Sequence, residues 1–229
     1  MAARSLEGIA ACVFDAYGTL FDVAASARAA RGEIGERWSA LSDLWRSRQL
    51  QYTWLRSLGG RHADFWQVTG DALDFAMETL GIEDPALRAR LMDAYLRLAA
   101  FPEVPGTLAR LRDGGMRLAI LSNGTPAMLA AAVAAAGLEG TFEALLSVEE
   151  AGVFKPHPSV YELAPARLRL RPEQICFVSS NGWDAFSAKA FGFRVLWCNR
   201  DGLAPERIPA APDAQIRDLS ELPARLWGD

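Results

Sequence analysis

Four segments of this sequence carry polar side chains that could act together in a chemical reaction. Asp15 directly follows an apolar, strand-like run, and residues 122–125, which read Ser-Asn-Gly-Thr, follow another. Lys155 lies in a later loop, and residues 179–184 supply hydroxyl groups, an amide and a carboxylate. A carboxylate close to an ammonium group and to hydrogen-bond donors stays ionised at neutral pH, as a nucleophile must. The combination predicts a small site for nucleophilic chemistry.

Each of these segments also has an ordinary structural explanation. An Asp that follows a strand can cap a turn, and Asn181 with Gly182 is a common turn pair. Thr125 can cap a helix that begins at Pro126, which would also leave amide groups able to hold an anion. Lys155 can be a solvated surface lysine, although the apolar residues before it favour a partly buried side chain. The functional interpretation therefore depends on whether the segments converge.

The elements around these segments predict that they do converge. Strands are predicted at residues 11–14, 117–121, 144–148, 175–178, 194–198 and 214–216, and helices at residues 126–136, 160–169, 184–191 and from residue 222. This alternation is typical of a parallel sheet with helices on both faces, so we predict an α/β fold with a Rossmann-like, doubly wound parallel core. The carboxyl ends of parallel strands share one edge of the sheet, where open α/β sheets bind ligands.

Residues 24–99 show no strand pattern and are predicted to form three to five helices. Apolar residues such as Leu41, Leu44 and Trp45 recur there at helical spacing, and Gly-Gly and Asp-Pro pairs separate the helices. We therefore predict an α/β core of residues 1–23 and 100–229 that contains the reactive groups, with an inserted all-helical domain of residues 24–99.

Composition limits the class of protein. The 229 residues are 51% hydrophobic and 23% charged, as in globular proteins. The net charge of −4 does not indicate a binding surface for nucleic acid or for an anionic membrane. No apolar run approaches the roughly 20 residues of a membrane span and no secretory signal is recognised, so we predict a cytoplasmic protein. Three cysteines in apolar runs and two separate histidines favour reduced thiols and no metal site.

The order and spacing of the polar segments resemble the four motifs of the haloacid dehalogenase superfamily. These are Asp15 followed by x-Tyr-Gly-Thr-Leu, a strand ending in Ser-Asn at 122–123, Lys-Pro at 155–156, and a strand ending in an acidic loop at Asp184. The helical insertion is similar to the cap domain of that superfamily. The resemblance spans residues 15–184 and implies a HAD-like core with a helical cap.

One position in the first motif separates the phosphatases of this superfamily from its dehalogenases. The phosphatases carry a second Asp two residues after the nucleophile, where this chain has Tyr17, and their last motif usually brings paired acids for magnesium, where residues 179–184 contain one. Both departures match the L-2-haloacid dehalogenase branch, and residues 45–56 and 65–66 are similar to the cap of that branch. The alternatives are a magnesium-dependent phosphatase or phosphonate hydrolase and a non-catalytic small-anion binding protein.

The resemblance implies a hydrolase that converts L-2-haloalkanoic acids, such as 2-chloropropionate and haloacetates, to D-2-hydroxy acids with inversion. Asp15 would displace the halide and form an ester, which water activated between Lys155 and Asp184 would hydrolyse. No cofactor and no metal are implied. The expected partners are the haloacid substrate, the halide ion and a second copy of the chain in a homodimer, without nucleic acid or membrane.

The same resemblance gives roles to further residues. Arg46, otherwise a surface arginine on an amphipathic helix, would hold the leaving halide with Asn123 near it, and Lys155 could assist. Ser122, the Asn123 amide and the amides after Asp15 would hold the substrate carboxylate. The residues expected to orient Asp15 and Lys155 are Thr19, Ser179 and Asn181, with Tyr161 bonded near Lys155. The expected apolar wall of the substrate site consists of Tyr17, Leu50, Phe65 and Trp183.

Overall fold

A six-stranded sheet organises the protein, whose computed structural model describes residues 6–228. The strands are β1 (Ala11–Phe14), β2 (Arg117–Ser122), β3 (Ala144–Ser147), β4 (Ile175–Ser179), β5 (Arg194–Cys198) and β6 (Ala214–Ile216). Their spatial order is β3-β2-β1-β4-β5-β6, and every neighbouring pair is parallel. The predicted doubly wound parallel core is therefore confirmed, with β1 at its centre.

The strands are apolar because helices cover the sheet. Every residue of β1 and β4 is buried, which explains why neither shows the alternation of a half-exposed strand. In the register of the sheet, Phe14 lies between Ile120 of β2 and Val178 of β4, so these three strands end together. The cysteines are buried and free, as predicted, with Cys12 opposite Cys176.

The helices that follow the strands are α6 (Val104–Asp113), α7 (Pro126–Ala135), α8 (Pro158–Leu168), α9 (Gly182–Phe191) and α10 (Leu222–Trp227). Thr125 caps α7 as predicted, because its side chain accepts from the Met128 amide. The largest differences from the predicted boundaries are in two helices. Helix α8 begins two residues early at Pro158 and ends before Arg169, whose φ of 55° stops it. Helix α9 begins at Gly182, because Asn181 already occupies the N-cap position.

The inserted segment is helical, as predicted. It forms α1 (Ala24–Ala29), α2 (Arg31–Ile34), α3 (Arg37–Leu58), α4 (Phe65–Thr79) and α5 (Pro85–Leu96). Asp64 caps α4 and Asp84 caps α5, each by accepting from a main-chain amide three residues later. Helices α3 and α4 are joined by a bond from the Trp45 indole to the Thr69 carbonyl at 2.9 Å. Within residues 6–228, no helix is both long and apolar enough to cross a membrane.

The chain passes between the sheet and this helical segment twice, through residues 19–23 and 99–103, which we call the connecting segments. The two lie side by side, because the Asp22 amide donates to the Ala99 carbonyl and the Phe101 amide donates to the Leu20 carbonyl, both at 3.0 Å. The first connecting segment starts only four residues after Asp15. The junction between the helical segment and the sheet therefore lies next to the predicted nucleophile.

Candidate active site

Asp15 extends from the carboxyl end of β1 into a set of hydrogen-bond donors. Its Oδ1 accepts from the Lys155 ammonium at 3.2 Å. Its Oδ2 accepts from the Thr19 hydroxyl at 3.0 Å and from the Asn181 side-chain amide at 2.8 Å. Only 6% of Asp15 is exposed. Three donors hold this buried carboxylate in one orientation, which excludes the alternative of a simple turn cap.

Lys155 lies between two carboxylates. Besides Asp15, its ammonium donates to Oδ2 of Asp184 at 2.9 Å, and it lies 4.9 Å from the centre of the Phe177 ring. Its side chain is 1% exposed, so the surface-lysine alternative is wrong. Burial on its own would lower the pKa of Lys155, but the facing carboxylates of Asp15 and Asp184 outweigh it and the pKa is raised. The ammonium therefore stays charged at neutral pH.

Asp184 is fully buried on the first turn of α9 and accepts a second hydrogen bond from the Tyr161 hydroxyl at 2.7 Å. Burial raises the pKa of Asp184, Lys155 opposes this change and Asp15 adds to it, so the net pKa is raised. The pKa of Tyr161 is raised well above its usual value, first by burial and then by Asp184. Tyr161 therefore stays protonated and keeps donating to Asp184.

The loops after β2 and β4 hold these groups in place. The Ser180 amide donates to the Thr19 hydroxyl at 2.8 Å, and the Ser179 hydroxyl accepts from the Asn181 amide at 3.2 Å. The Asn123 side chain accepts from the Lys155 amide at 3.1 Å. The convergence expected for the carboxyl edge of a parallel sheet is thus present.

Fewer hydrogen-bond donors are free to bind a substrate carboxylate than the sequence indicated. The Ser122 hydroxyl accepts from the Gly124 amide at 3.1 Å. Among the amides after Asp15, those of Gly18 and Thr19 donate to carbonyls of the same turn, at 2.8 and 3.3 Å. The turn amides that could contribute directly after Asp15 are therefore those of Ala16 and Tyr17.

Arg46 reaches the site from the helical segment. Its Nη2 donates to the Asn181 side-chain oxygen at 3.1 Å and to the Tyr17 carbonyl at 3.4 Å, while Nη1 donates to Gln49 at 2.7 Å. Gln49 in turn donates to the hydroxyls of Thr69 and Tyr95. Arg46 is therefore a fixed link between α3 and the loops that carry Asp15, and the surface-arginine alternative is wrong.

Aromatic rings enclose the side of the site that faces the helical segment. Tyr17 is 2% exposed, and its ring centre lies 5.7 Å from Phe65 and 5.4 Å from Tyr95. Its hydroxyl is buried without a hydrogen-bond partner, and its pKa is raised well above the usual value, chiefly by burial. Gly124 permits this arrangement, because a Cβ there would lie 2.7 Å from the Tyr17 ring. Tyr17 thus forms an apolar wall and stays neutral.

The other predicted wall residues lie further out. Trp183 packs edge to face with Trp54 at 5.4 Å, and these two rings line an open cavity of about 380 Å³ beside Lys155. Leu50 is half-buried on α3, one helical turn after Arg46, and does not pack against the main hydrophobic core.

Sequence reasoning gave no individual role to Gln49 or Tyr95, and it did not predict the contact between Trp54 and Trp183. Gln49 follows Arg46 by three residues and so shares its helix face, a spacing that could have identified it. Tyr95 lies on α5, 46 residues after Gln49, and Trp54 meets Trp183 only through the packing of α3 on the loop after β4. No local pattern marks such long-range contacts.

Comparisons with known proteins identify the family of this chain. The family model for haloacid dehalogenase-like hydrolases matches residues 9–192. (S)-2-haloacid dehalogenase 1 of Pseudomonas sp. (strain CBS-3) is 47% identical over 222 residues, which cover 96% of this chain and 98% of that protein.

Solved structures give the same result. The L-2-haloacid dehalogenase from Xanthobacter autotrophicus with chloropropionic acid covalently bound has a TM-score of 0.87 and 41% identity, covering 96% of this chain and 99% of that one. A second L-2-haloacid dehalogenase structure has a TM-score of 0.93 and 45% identity, over 96% and 99% of the two chains. This chain therefore belongs to the haloacid dehalogenase-like hydrolase family and, within it, to the L-2-haloacid dehalogenase branch.

Proposed function

We propose that this protein hydrolyses L-2-haloalkanoic acids, including 2-chloropropionate and haloacetates, to D-2-hydroxy acids through an ester on Asp15. The observation that carries this proposal is the Asp15 carboxylate, held by three donors, with the neutral ring of Tyr17 two residues later. The 47% identity to an (S)-2-haloacid dehalogenase and the likeness to a relative with chloropropionic acid covalently bound support it.

In the first half-reaction, Asp15 attacks C2 of the substrate from the side opposite the halogen. A C–O bond forms, the C–halogen bond breaks, and the halide leaves with the bonding electrons. Oδ2 already accepts two hydrogen bonds, whereas Oδ1 accepts one, from Lys155. Oδ1 therefore has more lone-pair density free for the attack. Attack from the rear inverts the configuration at C2.

In the second half-reaction, water attacks the ester carbonyl carbon of Asp15 and releases the 2-hydroxy acid. Asp184 accepts the proton from this water, since its raised pKa makes it a stronger base than an ordinary carboxylate. With Oδ1 in the ester bond, the oxyanion develops on Oδ2 of Asp15, where the Thr19 hydroxyl and the Asn181 side-chain amide already donate at 3.0 and 2.8 Å and stabilise it. As the tetrahedral intermediate collapses, Asp184 passes this proton to the leaving alkoxide oxygen, which becomes the hydroxyl of the product. Asp15 then loses the proton left on its new carboxyl group, so the overall products are the hydroxy acid, halide and one proton.

Tyr17 is compatible with this chemistry and unsuited to phosphate-ester cleavage. A halide ion is a weak base and leaves without protonation, so the position needs no acid. The leaving halide does need positive charge or hydrogen-bond donors around it. Arg46 supplies these from the helical segment, with Asn123 as a second donor. Leu50, Phe65, Trp183 and Tyr17 form the wall around the alkyl group and halogen.

The organisation of the molecule is part of the proposal. Residues 24–99 act as a cap domain that supplies Arg46, and residues 1–23 and 100–229 act as the core domain that supplies the covalent chemistry. From the family resemblance we propose a homodimer in the cytoplasm.

Halide release from separate L- and D-2-chloropropionate samples tests the activity. We expect release from the L isomer only, D-lactate as product, and no change when excess chelator is present. Activity on a phosphate ester that appears only with magnesium, without halide release, would instead support the phosphatase alternative. Binding of 2-chloropropionate without any turnover would support the non-catalytic alternative.

The ester intermediate has its own test, a single turnover in H₂¹⁸O with enzyme in excess over substrate. Because water attacks the Asp15 carbonyl carbon, the first lactate takes its hydroxyl oxygen from Asp15 and is unlabelled, and ¹⁸O enters the peptide that contains Asp15. Labelled lactate in the first turnover, with no label in that peptide, would show direct attack of water on C2.

A further inference from the structure

Arg200 lies just beyond β5 and contacts both connecting segments. Its Nη2 donates to the Thr19 carbonyl at 2.8 Å and forms an ion pair with Oε1 of Glu103 at 2.6 Å. The guanidinium plane also lies 3.8 Å from the centre of the Phe101 ring. The Arg200 side chain is only 13% exposed, so these contacts are largely removed from water. One side chain thus joins residues 19–23, residues 99–103 and the sheet.

The Thr19 contact leads directly to the nucleophile. The Thr19 hydroxyl donates to Oδ2 of Asp15 at 3.0 Å and accepts from the Ser180 amide at 2.8 Å. A shift of the Thr19 main chain would therefore change the direction of the Asp15 carboxylate and the position of the loop after β4. Arg200 donates to the Thr19 carbonyl, whereas the Thr19 hydroxyl donates to Asp15.

The contacts with Phe101 and Glu103 lead to the helical segment. Residues 99–103 carry the chain back from α5 into the core, and they pair with residues 20–22 through two main-chain hydrogen bonds. Glu103 is 20% exposed at its side chain, so its charge is partly desolvated and depends on Arg200 as its partner. Arg46 reaches the site from the helical segment whose orientation these connecting segments set.

We propose that Arg200 is a positioning residue that holds the two connecting segments against the core. It thereby sets the direction of the Asp15 carboxylate and the placement of Arg46 in the site. The proposal rests on the proposed dehalogenation reaction for its kinetic readout. Arginine suits this position because its guanidinium donates to a carbonyl, forms an ion pair with a carboxylate and lies over an aromatic ring, whereas lysine offers only a point charge.

Three variants and one matched control test this role. Arg200→Gln removes the charge and the fork, Arg200→Lys keeps the charge alone, and Glu103→Gln removes the ion-pair partner. Arg194→Gln is the control, because Arg194 begins the same strand and forms one ion pair, with Asp213, at the opposite edge of the sheet. Halide release from L-2-chloropropionate gives kcat and KM, and amide hydrogen exchange reports on residues 19–23 and 99–103.

Arg200→Gln should lower kcat by about 10- to 100-fold, because small misplacements of reacting groups have effects of that order. KM should stay within about threefold, since the substrate contacts are intact. Exchange should rise in both connecting segments and not across the sheet. The kcat and the exchange of Arg200→Lys should be close to those of Arg200→Gln. Glu103→Gln should show a smaller loss of kcat and a smaller rise in exchange, and Arg194→Gln should match the wild type in both.

Several results would overturn the proposal. They are a folded Arg200→Gln with wild-type kcat, a rise in KM alone, or a loss of kcat that follows loss of folded protein without local exchange. If Arg200→Gln does not fold, the Arg200→Lys and Glu103→Gln variants decide in the same way. A wild-type protein without halide release would reject the proposed function instead, while the exchange data would still decide whether Arg200 locks the segments.

Discussion

The chain has two lysines, Lys155 and Lys189, and each forms an ion pair of nearly the same length with an Asp of the core. The Lys155–Asp184 distance is 2.9 Å and the Lys189–Asp213 distance is 2.8 Å. The first pair is 1% and 0% exposed at its side chains, and the second is 27% and 15% exposed. The two pairs therefore differ in surroundings much more than in geometry.

The surroundings move the carboxyl pKa values in opposite directions. At Asp184, burial is the dominant influence and the pKa is raised in spite of Lys155. At Asp213, burial also acts to raise the pKa, but hydrogen bonds from Lys189 and the Val195 amide, with the charge of Arg194, outweigh it and the pKa is lowered. A nearly equal contact distance thus accompanies a raised carboxyl pKa at Asp184 and a lowered one at Asp213. The deeper burial of the Lys155–Asp184 pair accounts for the difference.

The largest effect is expected for Asp15→Asn, which removes the nucleophile. Turnover should fall by at least about 10⁴-fold, because loss of a covalent nucleophile typically has effects of this size or larger. Halide release from L-2-chloropropionate measures it, and the intact mass of the variant excludes conversion back to Asp. Activity near that of the wild type would rule out covalent catalysis by Asp15.

Lys155→Met should have the next largest effect, because it removes the buried member of the two ion pairs. Removing the ammonium leaves two buried carboxylates without a cation, which costs about 3–5 kcal/mol of unfolding free energy and removes the positive charge that lies between Asp15 and Asp184. Urea unfolding and halide release measure the two losses. An unchanged unfolding free energy would mean that the carboxylates do not depend on Lys155.

The pH dependence of kcat and of unfolding should distinguish the two ion pairs. Because the pKa of Asp184 is raised, kcat should fall on the acid side at a pH above the ordinary Asp value of about 3.9. The pKa of Lys155 is also raised, so its stabilising charge is fully present below about pH 10.4 and is lost as the pH rises through the higher folded value. A pH profile of kcat and of unfolding measures both limits.

The control for this profile is Asp213→Asn, which should leave the pH dependence of kcat unchanged. The lowered pKa of Asp213 contributes stability that is present above about pH 3.9 and is lost as the pH falls through the folded value. The variant should therefore remove a part of the acid dependence of unfolding only. An acid limb of kcat that moves in this variant would argue against Asp184 as the base.

The smallest effect is expected for Lys189→Met. Partly exposed ion pairs contribute about 0–1 kcal/mol, and Arg194 and the Val195 amide still hold Asp213 after the change. Urea unfolding should show a difference within that range, and halide release should equal that of the wild type. A loss as large as that of Lys155→Met would contradict the role assigned to burial.

The sequence was sufficient to predict the parts of the site that follow strands. Asp15, Lys155 and Asp184 could be placed together because parallel strands end at one edge, although 140 residues separate the first two. Arg46 could be placed only through a resemblance, because an arginine on an amphipathic helix has no local mark of function. Tyr95 and Arg200 could not be placed, since their contacts arise from how helices and loops pack across long stretches of chain.

The central position of β1 has a consequence for how the protein is made. This strand leaves the ribosome first, yet it pairs with β2 and β4, which end at Ser122 and Ser179. At synthesis rates of roughly 5–20 residues per second, the nascent strand waits about 10–30 s for the second of these neighbours. Until then its four apolar residues lack their neighbour on one side, and Asp15 lacks the amide of Asn181. The proposed nucleophile is thus synthesised long before the loop after β4 that completes its surroundings.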